Sequence, residues 1–241
     1  MDAGGAIVTD DGGVEDAAPS VDSGLRFIGS RLSFSTAKTD IVALCPAEAQ
    51  TGDLLVAAWI IRTSGTPGYI IPPSWGTLGT AHSDTSFPLW VGHHTLESAD
   101  IPESGSDIKW KFPFHDIAAH SVVQVLAFRA TARLQPVKPV RVDTMVATID
   151  GASGRLTRGN IGTQGQTIGL FVVSGSGENM RFSENLPGLL RDESNPNLAV
   201  YRTGGVFPKN ATIPGPTVTF AASPDASMMA WASLGVVDVT P

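Results

Sequence analysis

Eight consecutive apolar residues, Leu54 to Ile61 (LLVAAWII), constrain this chain more than any other stretch. The turn sequence Thr51-Gly52-Asp53 opens the run, and Arg62 to Gly68 follows it with Ser, Gly, Thr and Pro. A second short apolar run, Tyr69 to Ile71, ends at Pro72-Pro73 and is followed by Trp75. Eight residues bounded by turn chemistry and ending in Trp59, Ile60 and Ile61 suit a buried strand better than a helix. The Gly and Pro punctuation predicts the first half of a hairpin or of a strand-loop-strand unit.

The pattern returns later in the chain. Gln164-Gly165-Gln166 opens a run from Thr167 to Val173, followed by Ser174-Gly175-Ser176-Gly177 and by LPGLL at 186–190. Leu89-Trp90-Val91 is echoed by Leu198-Ala199-Val200-Tyr201, each with an Ile-Pro downstream, at 101–102 and 213–214. Lys109 to Phe112 is echoed by Thr217 to Phe220, and Ser121 to Phe128 by Ser227 to Leu234. Order and spacing carry this signal, not identity. They predict a duplication that organises the fold without naming a function.

Between these runs the segments are short and separated by Gly, Ser, Pro and Asp clusters. That is the pattern of an all-β chain, a β-sandwich or jelly roll. The 26 Gly and 17 Pro residues also oppose long helices. LRFIGS and RLSFS, from Leu25, read as strands, as do Trp75–Leu78, Phe87–His93, Ile108–Phe112 and Val122–Phe128. Residues 130–145, with Pro136 and Pro139, read as an extended crossing segment. The expected organisation is an extended acidic arm over residues 1–24 and two pseudo-repeated halves, 25–135 and 136–241. Each half alone is short for a core, which favours one packed body.

Charge is uneven along the chain. Of the 23 acids, Asp2, Asp10, Asp11, Glu15, Asp16 and Asp22 lie in residues 1–24, where no Lys or Arg occurs. The remainder is close to neutral. A net charge of −7 without a basic patch argues against nucleic acid as partner. No secretory signal is visible at the N-terminus, and no apolar run approaches the ~20 residues needed to cross a bilayer. No membrane partner is expected. Residues 1–24 cannot build a core. They are read either as a solvated tail or as an arm that docks on a neighbouring subunit through Ile7, Val8, Val14 and Val21.

Candidate chemistry is sparse. Cys45 is the single cysteine, and its neighbours Val42-Ala43-Leu44 and Pro46 suit a small buried hydrophobe. His93-His94 with Glu97, and His115-Asp116 with His120, are the clusters to test for metal. On a strand His93 and His94 face opposite sides. The His115/His120 pair reads as loop residues that meet His82 or Asp84 only if the fold brings them together. Both clusters are read as loop and surface histidines, with no metal or cofactor expected. No serine stands in a nucleophile elbow and the GSG at 175–177 lacks dinucleotide spacing. No catalytic residue is assigned, and a glycan hydrolase, which needs two facing carboxylates, is the weakest reading. Trp59, Trp110 and Trp231 read as core. Trp75 and Trp90 lie nearer loops, where an aromatic can stack on a sugar or anchor a partner, but core or loop packing is the favoured reading for both.

GDLLVAAWI, a Gly/Thr loop, IIPPSW, LWVGHH, IKWKF and VLAFRA resemble the layout of β-sandwich modules in minor tail and fibre-type proteins of tailed bacteriophages and in bacterial surface proteins. QTIGLFVVSG, LPGLL, LAVYRT and ATIPGPTVTFAASPDASMMAWASLGV resemble the second half of that layout. The likeness spans roughly residues 27–239. It departs where Phe128-Arg129-Ala130-Thr131 replaces the usual YRGV, and the second half lacks a Pro-Pro-x-x-Trp. It implies a non-enzymatic virion structural protein, tail-associated or decorating the capsid, made in the host cytoplasm and partnered by other virion subunits or further copies of itself. The alternative is a carbohydrate-binding or host-adhesion module that holds a surface glycan through Trp75 or Trp90.

Overall fold

The computed structural model describes residues 25–36, 38–62, 68–81, 89–118, 120–130, 138–148, 155–157, 161–162, 168–174, 180–182, 189–191, 198–203, 207–208, 210–214, 217–220 and 228–237. These residues build strands and one short 3-10 turn, Ser98–Asp100. The first half contains β1 (Leu25–Ser35), β2 (Lys38–Leu44), β3 (Leu54–Arg62), β4 (Gly76–Ala81), β5 (Leu89–Thr95), β6 (Lys109–Ala118) and β7 (His120–Ala130). The second contains β8 (Lys138–Thr148), β9 (Arg155–Thr157), β10 (Ile161–Gly162), β11 (Leu170–Ser174) and β12 (Met180–Phe182). It continues with β13 (Leu189–Arg191), β14 (Leu198–Thr203), β15 (Thr212–Ile213), β16 (Thr217–Phe220) and β17 (Met228–Val237). The fold is all-β and antiparallel.

The apolar run at Leu54–Ile61 is β3, the middle strand of a five-stranded sheet ordered β1-β7-β3-β5-β4. Side chains alternate across a strand, so the run has two faces. Leu54, Val56, Ala58 and Ile60 enter one core cluster, and Leu55, Ala57, Trp59 and Ile61 enter another. All eight are buried because both faces of the sheet are covered. The second cluster lies between this sheet and the β2-β6 pair, which supplies Ile41, Ala43, Trp110, Phe112 and Phe114. The arrangement is sandwich-like.

The first cluster joins the halves. It mixes β3, β5 and β7 residues with Ile168, Leu170, Val172, Leu198 and Val200. Each described sheet takes its strands from one side of residues 131–137 only, yet this core belongs to both sides. The Arg202 guanidinium adds a cation–π contact across it, 3.8 Å over the Phe27 ring. Gln124 interrupts this apolar layer: it is fully buried, and neither amide atom has a partner among the described residues.

The second five-stranded sheet is ordered β8-β17-β11-β14-β13. Taken in chain order, its strands stand in the same positions as β1-β7-β3-β5-β4. Leu170 in β11 pairs with Arg202 and Leu234, as Leu54 in β3 pairs with Thr95 and Phe128.

Three expectations need correction. The segment 130–145 is not an extended connection throughout, because β8 begins at Lys138 and pairs with β17. Pro139 is tolerated there because β8 is an edge strand and the register shifts beside its partner Val236. Tyr69–Ile71 forms only an isolated bridge, Tyr69 to Phe114, since Pro72-Pro73 ends the pairing. His115 and His120 lie in β6 and β7, not in a loop, because β6 extends to Ala118.

Candidate functional site

Trp75 and Trp90, the candidate sugar platforms, are both interior. They are 5% and 1% exposed, so neither offers a ring face to a ligand. The reason is the β2-β6 pair, which lies over this face of the main sheet and closes an aromatic layer. Trp59 packs edge-on to Trp90 at 6.1 Å and to Phe112 at 5.2 Å, and Trp75 packs against Trp110 at 5.3 Å and Phe112 at 5.4 Å. Trp59 Nε1 donates to Ser121 Oγ at 2.9 Å and Trp90 Nε1 to Thr77 Oγ1 at 3.0 Å. Gly92 is required under Trp90: a Cβ there would run into the Trp90 ring and the Gly76 carbonyl. Trp59 and Trp110 are core, as read from the sequence. The side chain of Trp231 lies outside the described residues.

His93 and His94 do face opposite sides of β5. His94 is buried, with Nδ1 2.8 Å from the Ser74 carbonyl and Nε2 2.7 Å from Asp100 Oδ2. The Ser74 carbonyl can only accept, so Nδ1–H donates to it. Asp100 Oδ2 also accepts from the Glu97 backbone N–H at 2.8 Å, which ties β5 to the 3-10 turn. His93 is half-buried over Gly76. Burial, and then the neighbouring His94, hold its pKa below the usual 6.5. Among the described residues no three His, Cys, Asp or Glu side chains converge as metal ligands would. His82 and Asp84, and the side chains of His115 and Asp116, lie outside the described residues.

One ion pair was missed in the sequence. Asp53, 2% exposed, receives Arg129 Nε at 2.8 Å on Oδ1 and Nη2 at 2.7 Å on Oδ2. Its Oδ2 also accepts from the Gln50 N–H at 2.8 Å, and Arg129 Nη2 donates to the Glu48 carbonyl at 3.0 Å. Gly52, at φ +93, makes the turn that presents Asp53. The pair therefore fastens the loop before β3 to the end of β7. The available signal was the Gly-Asp ahead of the apolar run and the Arg closing VLAFR, but nothing local joins them.

Cys45 is buried, and its thiol is pushed up to about 12, by burial first and by Asp53 and Asp100 after it. The thiolate is the reactive form, so thiol reagents at pH 8 are expected to label Cys45 only on unfolding. The folded state favours the thiol over the thiolate. Its contribution to stability is therefore intact below the ordinary thiol pKa of 9.0 and is lost as the pH rises toward about 12. Denaturation curves at pH 8 and pH 10.5 check this: Cys45→Ala should lose less stability between the two than the native chain. Equal losses would rule the thiol out as a source of alkaline sensitivity.

Exposed apolar side chains provide the remaining candidate surface. Phe34 is 70% exposed and Val42 41%, and both line a cleft of about 360 Å³ with Leu32, Lys38, Asp40 and Leu44. The expected arm anchors Ile7, Val8, Val14 and Val21 lie outside the described residues. No protein-family model, curated protein or solved structure matches the chain.

Proposed function

We propose that this chain is a non-enzymatic structural subunit of a tailed-phage virion, tail-associated or decorating the capsid, that acts by assembly through its acidic N-terminal segment. The observation that carries this reading over the adhesive one is the burial of Trp75 and Trp90, which removes the aromatic platform a sugar would need. The polar pairs His94–Asp100 and Asp53–Arg129 each fasten a loop, a structural use of their charges. The matching strand orders of the two five-stranded sheets support reading the body as two copies of one module.

Deleting residues 1–24 tests the reading. The shortened chain is expected to keep the cooperative unfolding of the body and to lose incorporation into the assembly. Unchanged incorporation would overturn the role of the segment. Binding of the full chain to a glycan array would overturn assembly as its sole task and restore the adhesion module.

A further inference from the structure

We infer that the open edge formed by β1 and β2 is the receptor for residues 1–24 of a second copy of the chain. This rests on the reading that the chain assembles through that segment, and it names the surface the segment meets. Among the described residues β1 is the outer strand of its five-stranded sheet, and β2 pairs only with β6. An edge strand presents a row of backbone N–H and C=O groups that an extended segment can pair with. The cleft lies along this edge. Its exposed Phe34 and Val42 form an apolar floor that a soluble chain has reason to cover.

Charge selects the occupant. β1 (LRFIGSRLSFS) carries Arg26 and Arg31 and no acid, and Lys38 opens β2. Arg31 is held only loosely, 3.7 Å from the exposed Asp107, and Asp40 is neutralised by Lys111 at 2.7 Å. Residues 1–24 carry six acids, no Lys or Arg, and the apolar residues Ile7, Val8, Val14 and Val21. Pairing of β1 with β1 of another copy is disfavoured, because it sets two acid-free, arginine-bearing strands side by side with no opposite charge between them. The chain's own segment is a poorer fit. A tight reversal at Ser23-Gly24 would pair residue 22 with Leu25 and residue 12 with Ser35, leaving Ile7-Val8 beyond the end of β1. A segment from a second copy has no such constraint on register, and 24 extended residues span roughly 80 Å.

The test uses the full chain with a photo-crosslinking phenylalanine analogue at Phe34, in an equal mixture of isotopically light and heavy copies. Crosslinked peptides joining position 34 to residues 1–24 with mixed labels are the expected result. Same-label pairs alone would mean the chain's own segment fills the cleft, and would overturn the inference. So would self-association with crosslinks elsewhere or none, although the assembly reading would survive it. Absence of self-association in sedimentation would sink that reading as well. Independently, Arg26→Glu with Arg31→Glu should weaken self-association roughly tenfold at low salt. Asp10→Lys with Asp11→Lys should restore it. An unchanged dissociation constant for the first pair would overturn the charge argument.

Discussion

Replacing Arg129 with alanine is expected to lower the unfolding free energy by about 3–5 kcal/mol, the usual cost of stranding one partner of a buried ion pair. Asp53 is 2% exposed, and among the described residues its carboxylate without the guanidinium keeps only the Gln50 N–H as a partner. The loss has a structural component too, since Arg129 also holds the Glu48 carbonyl and so the loop ahead of β3. Arg129→Lys should recover only part of the loss. Lysine returns the charge but not the two-pronged geometry that meets Oδ1 and Oδ2 together. The double variant Asp53→Ala, Arg129→Ala should lose less than the two single losses added, because the penalty of leaving the buried Asp53 carboxylate without its cation is absent from it. Urea denaturation of the four proteins measures this. A loss below about 1 kcal/mol for Arg129→Ala, the value typical of exposed pairs, would contradict the buried pairing.

What could be read in the sequence follows from how locally each feature is encoded. β3 was legible because eight apolar residues between turn signals fit little else, and its two-faced burial explains why polar residues do not alternate within it. Part of the strand order in the second half was legible as echo and spacing. The runs at Thr167–Val173, Leu198–Tyr201 and Ser227–Leu234 met β11, β14 and β17, which stand where β3, β5 and β7 stand in the first sheet, whereas Thr217–Phe220 entered a different sheet, β12-β16-β9. The Asp53–Arg129 pair was not legible: its partners stand 76 residues apart, and either could serve a solvated loop. Core packing of Trp75 and Trp90 was legible, but the elements that cover them were not. Pro72-Pro73 could be read as ending a run ahead of Trp75, but the β2-β6 pair that covers both rings is a tertiary fact. His94 was read as a surface histidine, while its partners Ser74 and Asp100 come from loops the sequence could only punctuate.

Trp59→Ala carries the second large expected effect, again about 3–5 kcal/mol, from the ring's lost burial and the cavity it leaves. Trp59 is wholly buried and touches Tyr69, Trp90, Phe112 and Phe114, so no single neighbour can relax into the gap. In a chain of this size that loss lowers the melting temperature on the order of 10 °C. Trp59→Phe should cost less, because the smaller ring still fills most of the layer. Ser121 Oγ loses the indole N–H but continues to donate to the Ile60 carbonyl at 3.3 Å. The same melting experiment on Trp75→Ala and Trp90→Ala separates the structural and adhesive roles of those residues. Both should destabilise the body, since both rings belong to the layer Trp59 anchors. If either left stability untouched while abolishing a measured glycan affinity, that ring would be reaching solvent and the packed aromatic layer would be wrong.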